Sequence, residues 1–310
     1  MEMEEAQGGN DAAGPRRRVA FQGEPGAYSE EAAFRLLGAG VEAVACPTFE
    51  SLFASVGEGR AECALAPVEN SLAGDVARVY DLLGAGALFI VAEVVQRISH
   101  NLVGCPGATL EGVRVVESHP VALAQCERFF AERPHVRPAP ADDTAASVRR
   151  VVERGDPSRA ALASARAAQI YGGRILAERL EDDPQNFTRF VLLAAPEETS
   201  PPVRAKAETS ASLPMTTAAD KLSLVLTLPE RPDALWRALA PFARRGFALL
   251  RVASRPVKGR PWRYRFFLDF KTSGAEEELT RALSELRECA EEVRVLGRYA
   301  AAAAPLSEKS

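Results

Sequence analysis

Between Val19 and Ala195, short apolar runs alternate with longer stretches of helical periodicity, and this alternation constrains the fold more than any other feature of the chain. V-A-F-Q at 19–22, V-E-A-V-A at 41–45, C-A-L-A-P-V at 63–68, 87–95, 113–117 and A-A-L-A at 160–163 read as strands. Helical patterns fill the gaps: the Ala-rich segment opened by Ser29 and stopped by Gly38, then 49–57, 72–84, 120–132, 144–154 and 164–171. Strands alternating with helices give a layered α/β fold with a largely parallel sheet.

The texture then changes. Residues 196–220 are rich in Pro, Ser, Thr and Ala without periodicity, which reads as a linker. Beyond it, K-L-S-L-V-L-T-L is a strand and R-P-D-A-L-W-R-A-L-A-P-F-A-R-R a helix closed by Gly246. F-A-L-L-R-V-A-S-R-P is a second strand, W-R-Y-R-F-F-L-D-F a third, and a helix striped by Leu279, Leu283 and Leu286 precedes a closing strand. The order β-α-β-β-α-β is the ferredoxin-like split unit. Pro241 inside its first helix predicts a kink or an early end. Alternation places Trp262, Tyr264, Phe266, Leu268 and Phe270 on one face of the third strand.

A chain of 310 residues has length for two such units. Its net charge of −4 gives no electrostatic reason to expect nucleic acid or an anionic membrane as partner. Five cysteines without a C-x-x-C pair fit a reducing compartment, with Cys63 and Cys105 as small core residues. The first eighteen residues, acidic and Gly-rich, read as a disordered tail rather than a secretory signal or transit peptide.

Polar clusters recur at ends of the predicted strands, where open α/β sheets bind ligands. G-E-P-G-A-Y-S offers Gly26 for a tight turn and Ser29 as a helix cap. P-V-E-N-S-L-A-G-D places Glu69, Asn70 and Ser71 in a row before the next helix, more polar groups than a cap needs. E-S-H-P-V-A-L-A-Q-C supplies Ser118 as a cap, with His119 beside Pro120 at a helix start. A-D-D-T-A-A-S-V puts Thr144 at a fourth cap position. D-D-P-Q-N-F-T-R-F leaves a polar turn with Thr188 and Arg189 between Phe187 and Phe190. No clustered His/Cys set, G-x-G-x-x-G, Walker A or G-x-S-x-G pattern is present, so neither a metal nor a nucleotide cofactor is expected. The remaining inventory of hydroxyls, amides, helix N-termini and one arginine suits a small polyanion.

In this order the five motifs resemble those of the prephenate and arogenate dehydratases, and R-P-D-A-L with S-R-P resembles their C-terminal ACT domain; the resemblance runs from Val19 to Tyr299. It implies a catalytic domain over 19–197 of two α/β lobes, similar to type II periplasmic binding proteins, with substrate in the cleft between them. A linker at 198–219, an ACT domain at 220–300 and a tail at 301–310 would follow. The implied reaction is the cofactor-free decarboxylation and dehydration of prephenate to phenylpyruvate, with arogenate dehydratase as the alternative and a non-catalytic amino-acid or keto-acid sensor as the rival outside enzymes. Thr188 would hydrogen-bond the departing hydroxyl, Arg189 would anchor or orient a carboxylate, directly or through the cleft wall, both facing the cleft, and Asn70, Ser71, Ser118 and Thr144 would bind substrate, with Ser29, Glu69, His119 and Phe190 nearby. L-phenylalanine would bind between two ACT domains at Asp233, Ala234, Leu235 and at Ala253, Ser254, Arg255, Pro256, in a homodimer or a dimer of dimers. The family pattern has glycine where Asp233 stands and glutamate where Ala253 stands, so weak, absent or altered phenylalanine inhibition is expected. The cytoplasm, or a plastid stroma, is the expected location.

Overall fold

Three sheets organise the chain in a computed structural model that describes residues 16–86, 88–196, 219–272 and 276–303. The expected tail at 1–18 falls outside these residues except for its last three, the linker at 198–219 except for its last, and the C-terminal tail except for its first three. Among the described residues no helix is long and apolar enough to cross a membrane.

The first sheet contains β1 (Arg18–Gln22), β2 (Glu42–Cys46), β3 (Cys63–Asn70), β5 (Phe89–Arg97) and β11 (Phe187–Ala194), in the order β2-β1-β3-β11-β5. The short β4 (Gly74–Asp75) hairpins back onto β3. β1 pairs in parallel with β2 and β3, whereas β11 runs antiparallel between β3 and β5. Helices α1 (Tyr28–Leu37), α2 (Phe49–Gly57) and α3 (Ala77–Ala85) complete this lobe. Side chains of β11 alternate as its pleat demands. Phe190 and Leu192 pack with α1 residues Ala32 and Ala33, while Val191 and Leu193 pack on the other face with Leu52, Val79 and Leu83.

The second lobe holds β6 (Asn101–Gly104), β7 (Val115–Ser118), β8 (Arg137–Pro140), β9 (Arg159–Ala163) and β10 (Arg174–Ala177), ordered β10-β6-β9-β7-β8. Its helices are α4 (Pro120–Ala124), α5 (Glu127–Ala131), α6 (Thr144–Arg154) and α7 (Ala165–Tyr171). Three four-residue strands, β6, β8 and β10, were not predicted; β8 carries two prolines and sits at a sheet edge, where proline is tolerated. The single helix expected at 120–132 is broken at Gln125–Cys126, and Asp182 accepts from the N–H groups of Glu127 and Arg128 to start the second piece.

The chain passes between the lobes twice, at 98–100 and 178–186, and the two crossings bond to each other. Ile98 N–H donates to Asn186 O at 2.8 Å, Leu180 N–H to His100 O at 2.8 Å, and His100 N–H to the Glu181 carboxylate at 2.8 Å. Away from this hinge the lobes touch where Gly26, at φ +91°, lies against Ala167 and accepts from Ser164 Oγ at 2.7 Å. An added Cβ at Gly26 would stand 2.7 Å from Ala167 Cα, so both the turn and the contact require glycine.

The third sheet is formed by β12 (Lys221–Thr227), β13 (Ala248–Pro256), β14 (Tyr264–Lys271) and β15 (Glu292–Tyr299), all antiparallel, ordered β13-β14-β12-β15. With α8 (Ala234–Ala243) and α9 (Glu276–Cys289) it has the expected βαββαβ order. Leu222, Leu224, Leu226, Leu268 and Phe270 bury one face against Phe242, Leu279 and Leu286 of the helices. The other face, through Val225, Phe267 and Leu296, packs on Tyr80, Leu83 and Ile90 of the first lobe. α8 continues through Pro241 and ends two residues later, so no early end occurs. β14 begins at Tyr264, leaving Trp262 in a turn at φ +67° and 86 % exposed, contrary to the strand reading. All five cysteines are free; four are buried, and burial pushes the Cys63 thiol up to about 12.

Candidate active site

The cleft between the two lobes has a volume of about 440 Å³, in the range that accommodates a small metabolite. Thr188 and Phe190 project into it from β11, Asn70 from the end of β3, and Ser29 from the first turn of α1. The second lobe contributes His119, Gln125, Asp143 and Thr144, and the hinge contributes His100. The first turns of α1 and α6 face the cleft, and helix starts carry backbone N–H groups without intrahelical partners. No lysine or arginine is among the described lining residues.

The centre of the site is a chain of amides. Thr188 and Asn70 sit directly opposite each other on adjacent strands. Asn70 Nδ2 donates to Thr188 Oγ1 at 2.9 Å, sharing its two hydrogens with Asn186 Oδ1 at 2.8 Å and Phe187 O at 3.1 Å. Its orientation is fixed, because Oδ1 accepts from the N–H groups of Leu72 at 3.0 Å and Ala73 at 2.8 Å and from Gln125 Nε2 at 3.3 Å. Gln125 Oε1 in turn accepts from Asn186 Nδ2 at 2.9 Å and lies 2.9 Å from His100 Nε2, while His100 Nδ1 meets Tyr28 OH at 2.9 Å. The bond from Asn70 fills an acceptor position on Thr188 Oγ1 and leaves the hydroxyl hydrogen available to a ligand.

Burial lowers the His100 pKa, partly offset by the bond to Gln125, so the ring is neutral near pH 7. A neutral ring that donates from Nε2 to Gln125 leaves Nδ1 as an acceptor beside Tyr28 OH, whose single hydrogen is shared with Ser99 O at 2.7 Å. Burial raises the Asp143 carboxyl pKa, against the bonds from the α6 backbone that lower it. Among the described residues no three His, Cys, Asp or Glu side chains converge as a metal site would need.

Several predicted residues have other positions or roles. Ser29 is buried in the first turn of α1 and does not cap it; the cap position is Ala27. Glu69, Asn70 and Ser71 do not precede a helix but run into the β3–β4 turn, and α3 starts later, at Ala77. Ser71 Oγ donates to Gln185 O at 2.6 Å and accepts from Phe187 N–H at 2.9 Å, tying that turn to the start of β11. Ser118 is fully buried and donates to Leu162 O at 2.7 Å, so it joins β7 to β9 rather than lining the cleft. His119 is the true α4 cap, accepting from Val121 N–H through Nδ1 at 3.2 Å, and Asp143, not Thr144, caps α6.

The main correction concerns Arg189. It points away from the cleft into the contact with the third sheet, because successive residues of a strand face opposite sides. Its partners there are Glu93 Oε2 and Asp269 Oδ2, each at 2.7 Å. Glu69 shares that face, its carboxylate 3.9 Å from Arg189 and 3.3 Å from Arg251.

In the third sheet's unit, Asp233 is bridged by Arg231 at 2.8 Å and by Arg237, which balances its charge. Ala234 and Leu235 begin α8, Ala253 packs on the first lobe, and Arg255 reaches Asp81 on α3 at 3.3 Å. Ser254 and Pro256 lie at the end of β13, the sheet's edge strand.

Four residues of the central chain were missed: Tyr28, His100, Gln125 and Asn186. Three stand inside segments already singled out, each one or a few positions from the residue chosen. The I-S-H-N run holding His100 carried no motif; its polar residues between two apolar strands were the available signal.

Comparison with known proteins agrees with this architecture. The sequence profile of the family described as "Prephenate dehydratase" matches residues 19–198. Arogenate dehydratase/prephenate dehydratase 2, chloroplastic, of Arabidopsis thaliana is 40% identical over 295 residues, covering 92% of this chain and 73% of that protein. The crystal structure of prephenate dehydratase from Arthrobacter aurescens in complex with L-Phe superimposes with a TM-score of 0.79 at 31% identity, covering 92% and 90% of the two chains. A solved structure described as GqqA, a novel type of quorum-quenching acylase, gives a TM-score of 0.78 at 36% identity and covers 91% and 97%.

Proposed function

Since the chain belongs to the prephenate dehydratase family, we propose that it converts prephenate and one proton to phenylpyruvate, carbon dioxide and water, a carbon–oxygen lyase reaction that feeds phenylalanine synthesis. The electrons of the breaking C–CO2 bond move into the ring, the ring becomes aromatic, and the hydroxyl on the opposite ring carbon leaves as water once protonated. The driving force is aromatisation, and the protein's tasks are to hold two carboxylates and to direct a proton to the leaving oxygen.

The observation that carries this reading is the Asn70–Thr188 bond. It presents a donor hydroxyl on the cleft wall, held from behind by a chain of amides that cannot turn over. A threonine hydroxyl is too weak an acid to give up its proton outright, so Thr188 directs a proton that comes ultimately from water. With no lysine or arginine among the described lining residues, the substrate carboxylates are met by the N–H groups opening α1 and by Ser29, Thr144 and His119, since Asp143 takes up the N–H groups of Ala145 and Ala146 at the start of α6.

One feature favours arogenate as a second substrate: Asp142 and Asp143 line the same cleft, and arogenate carries an ammonium where prephenate has a ketone. Neither cleft histidine bonds a serine, threonine or cysteine among the described residues, so no acylase-type nucleophile is set up.

The βαββαβ unit is, on this reading, an ACT domain that pairs with a second copy. The test is turnover of prephenate and arogenate side by side, with Thr188→Ala as control. Loss of about 10²-fold or more in kcat is expected for the variant. Full activity of Thr188→Ala on both substrates would overturn the assignment.

A further inference from the structure

Arg189 is the residue next to Thr188, yet it sits in a buried charged cluster that joins two sheets. Its guanidinium donates to Glu93 on β5 at 2.7 Å, to Asp269 on β14 at 2.7 Å and to Tyr299 OH on β15 at 3.0 Å. Lys221 on β12 donates to both Glu93 oxygens at 2.9 Å, and the N–H of Ala302 reaches Glu93 at 2.9 Å. Ser223 on β12 donates to Asp269 at 2.6 Å and lies 2.6 Å from Tyr299 OH.

Each sheet therefore contributes one cation and one anion, and the pairs cross: Arg189 with Asp269, and Lys221 with Glu93. Burial alone would raise the Asp269 carboxyl pKa, but Arg189, Ser223 and Lys221 outweigh it and hold it below the usual range. With two cations and two anions the cluster is neutral by formal charge, and it is supplied with hydrogen bonds from both sheets.

Such a cluster is a poor device for holding two sheets together. Desolvating four charges offsets most of their attraction, and Val225, Phe267 and Leu296 already supply an apolar contact. What it does well is fix position, since each ion accepts only one geometry. Here it fixes the stretch of β11 next to the reacting hydroxyl. The pairing of β11 with β3 shifts register between Arg189 and Phe190 while its ladder with β5 stays regular there, so regular pairing alone does not set the alignment of Thr188 against Asn70 on β3. A second tie acts on the facing strand: Arg251 on β13 reaches Glu69 at 3.3 Å and Asp75, with its guanidinium 4.5 Å over the Tyr80 ring. The third sheet thereby grips both strands that carry the pair Asn70 and Thr188. The void beside the cluster is only about 10 Å³, room for no effector.

From this placement we infer that Arg189 is a positioning residue, and that the C-terminal sheet, through Asp269 and Tyr299, sets the alignment of Thr188 and is part of what makes the cleft catalytic. The inference rests on the proposed dehydratase reading. The C-terminal unit is then needed for turnover itself, whether or not any small molecule binds to it.

The experiment measures kcat and KM for prephenate on the full chain in five variants. Asp269→Asn keeps the shape and the bond to Ser223 but removes the charge that faces Arg189. Its kcat is expected to fall at least tenfold with KM within about twofold, as a displaced but intact donor should behave. Arg189→Lys should retain more activity than Arg189→Met. Should Asp269→Asn fail to fold, Tyr299→Phe removes one bond to Arg189 with little loss of volume, and a kcat decrease of about threefold is expected. Leu296→Ala loosens the same contact without removing a charge or hydrogen bond of the cluster and should lower the melting temperature while leaving kcat unchanged. Wild-type turnover reads the dehydratase assignment, and the ratios to wild type read the coupling. Folded Asp269→Asn and Tyr299→Phe proteins with wild-type kcat would overturn it, as would a Leu296→Ala protein that loses as much kcat as Asp269→Asn.

Discussion

Replacing Asn70 by aspartate changes almost no volume but inverts the chemistry at one atom. The oxygen that receives the Leu72 and Ala73 N–H groups would be kept, and a carboxylate oxygen would stand where Nδ2 stands. That oxygen would then face three others: Asn186 Oδ1 at 2.8 Å, Thr188 Oγ1 at 2.9 Å and Phe187 O at 3.1 Å. Of these, Thr188 can relieve the conflict by rotating its hydroxyl to donate to the new carboxylate. Asn186 cannot turn without losing its bond to Gln125 at 2.9 Å. The rotation removes the hydrogen from the cleft at the moment it is needed. Losing one preorganised donor to a developing charge costs about 3–4 kcal/mol of transition-state stabilisation, or about 10²–10³ in kcat. Two hydrogen bonds that Thr188 does not replace cost a further ~2 kcal/mol of stability. Phenylpyruvate formation from prephenate reads the first effect and thermal unfolding reads the second. A distinguishing signature is partial recovery of kcat at acidic pH, where the introduced carboxyl regains a proton and can again donate to Thr188. An Asn70→Asp protein that is folded and within threefold of wild-type kcat at neutral pH would refute the reasoning.

Three further outcomes are expected. Because burial holds the His100 pKa below 6.5, the unfolded chain binds more protons than the native one just below that value. Its contribution to stability is therefore present above 6.5 and is lost as pH falls through 6.5 toward the depressed value. Denaturant melts from pH 7.5 to 5 should show stability falling with pH in the wild type, and a shallower fall in His100→Gln. Gly26→Ala introduces a Cβ 2.7 Å from Ala167 Cα on a backbone at φ +91°, so it should cost about 2–5 kcal/mol and raise KM by parting the lobes, as melts and kinetics would detect. Isothermal titration with L-phenylalanine should give weak binding or none, since Ala253 offers the ammonium no carboxylate and packs on the first lobe; tight binding with strong inhibition would contradict this.

The fold was readable because its signals are local. Alternation of apolar runs and helical stripes gave the α/β lobes and the βαββαβ unit, with the errors confined to places where local rules are weak. R-P-A-P is a poor strand by propensity and survives only at an edge next to β7. W-R-Y alternates well, but the chain turns at Trp262 to close the β13–β14 connection. Cap residues were misplaced by one position at two helix starts, where adjacent polar residues compete for one role, Asp143 before Thr144 and His119 after Ser118, and by two positions at α1, where Ala27 stands at the cap without a side-chain bond.

The site was legible only in part, for a geometric reason. Residues of a cleft between lobes come from opposite sides of two crossings, and a sequence does not state which side of an element faces the other lobe. Gln125 and Asn186 are 61 positions apart and become partners only because a helix breaks after Gln125 and the returning crossing places Asn186 against it. Arg189 shows the same limit in reverse. A cation beside a catalytic hydroxyl invites a shared role in binding, yet the pleat of β11 forbids both from facing the cleft. Period two sends one side chain to the cleft and the next to the sheet behind, and that sheet supplies Asp269 and Tyr299 at 2.7 and 3.0 Å. The adjacency of Thr188 and Arg189 is therefore mechanical: two neighbouring residues place a cleft hydroxyl and the cation that ties its strand to the third sheet on opposite faces of one strand.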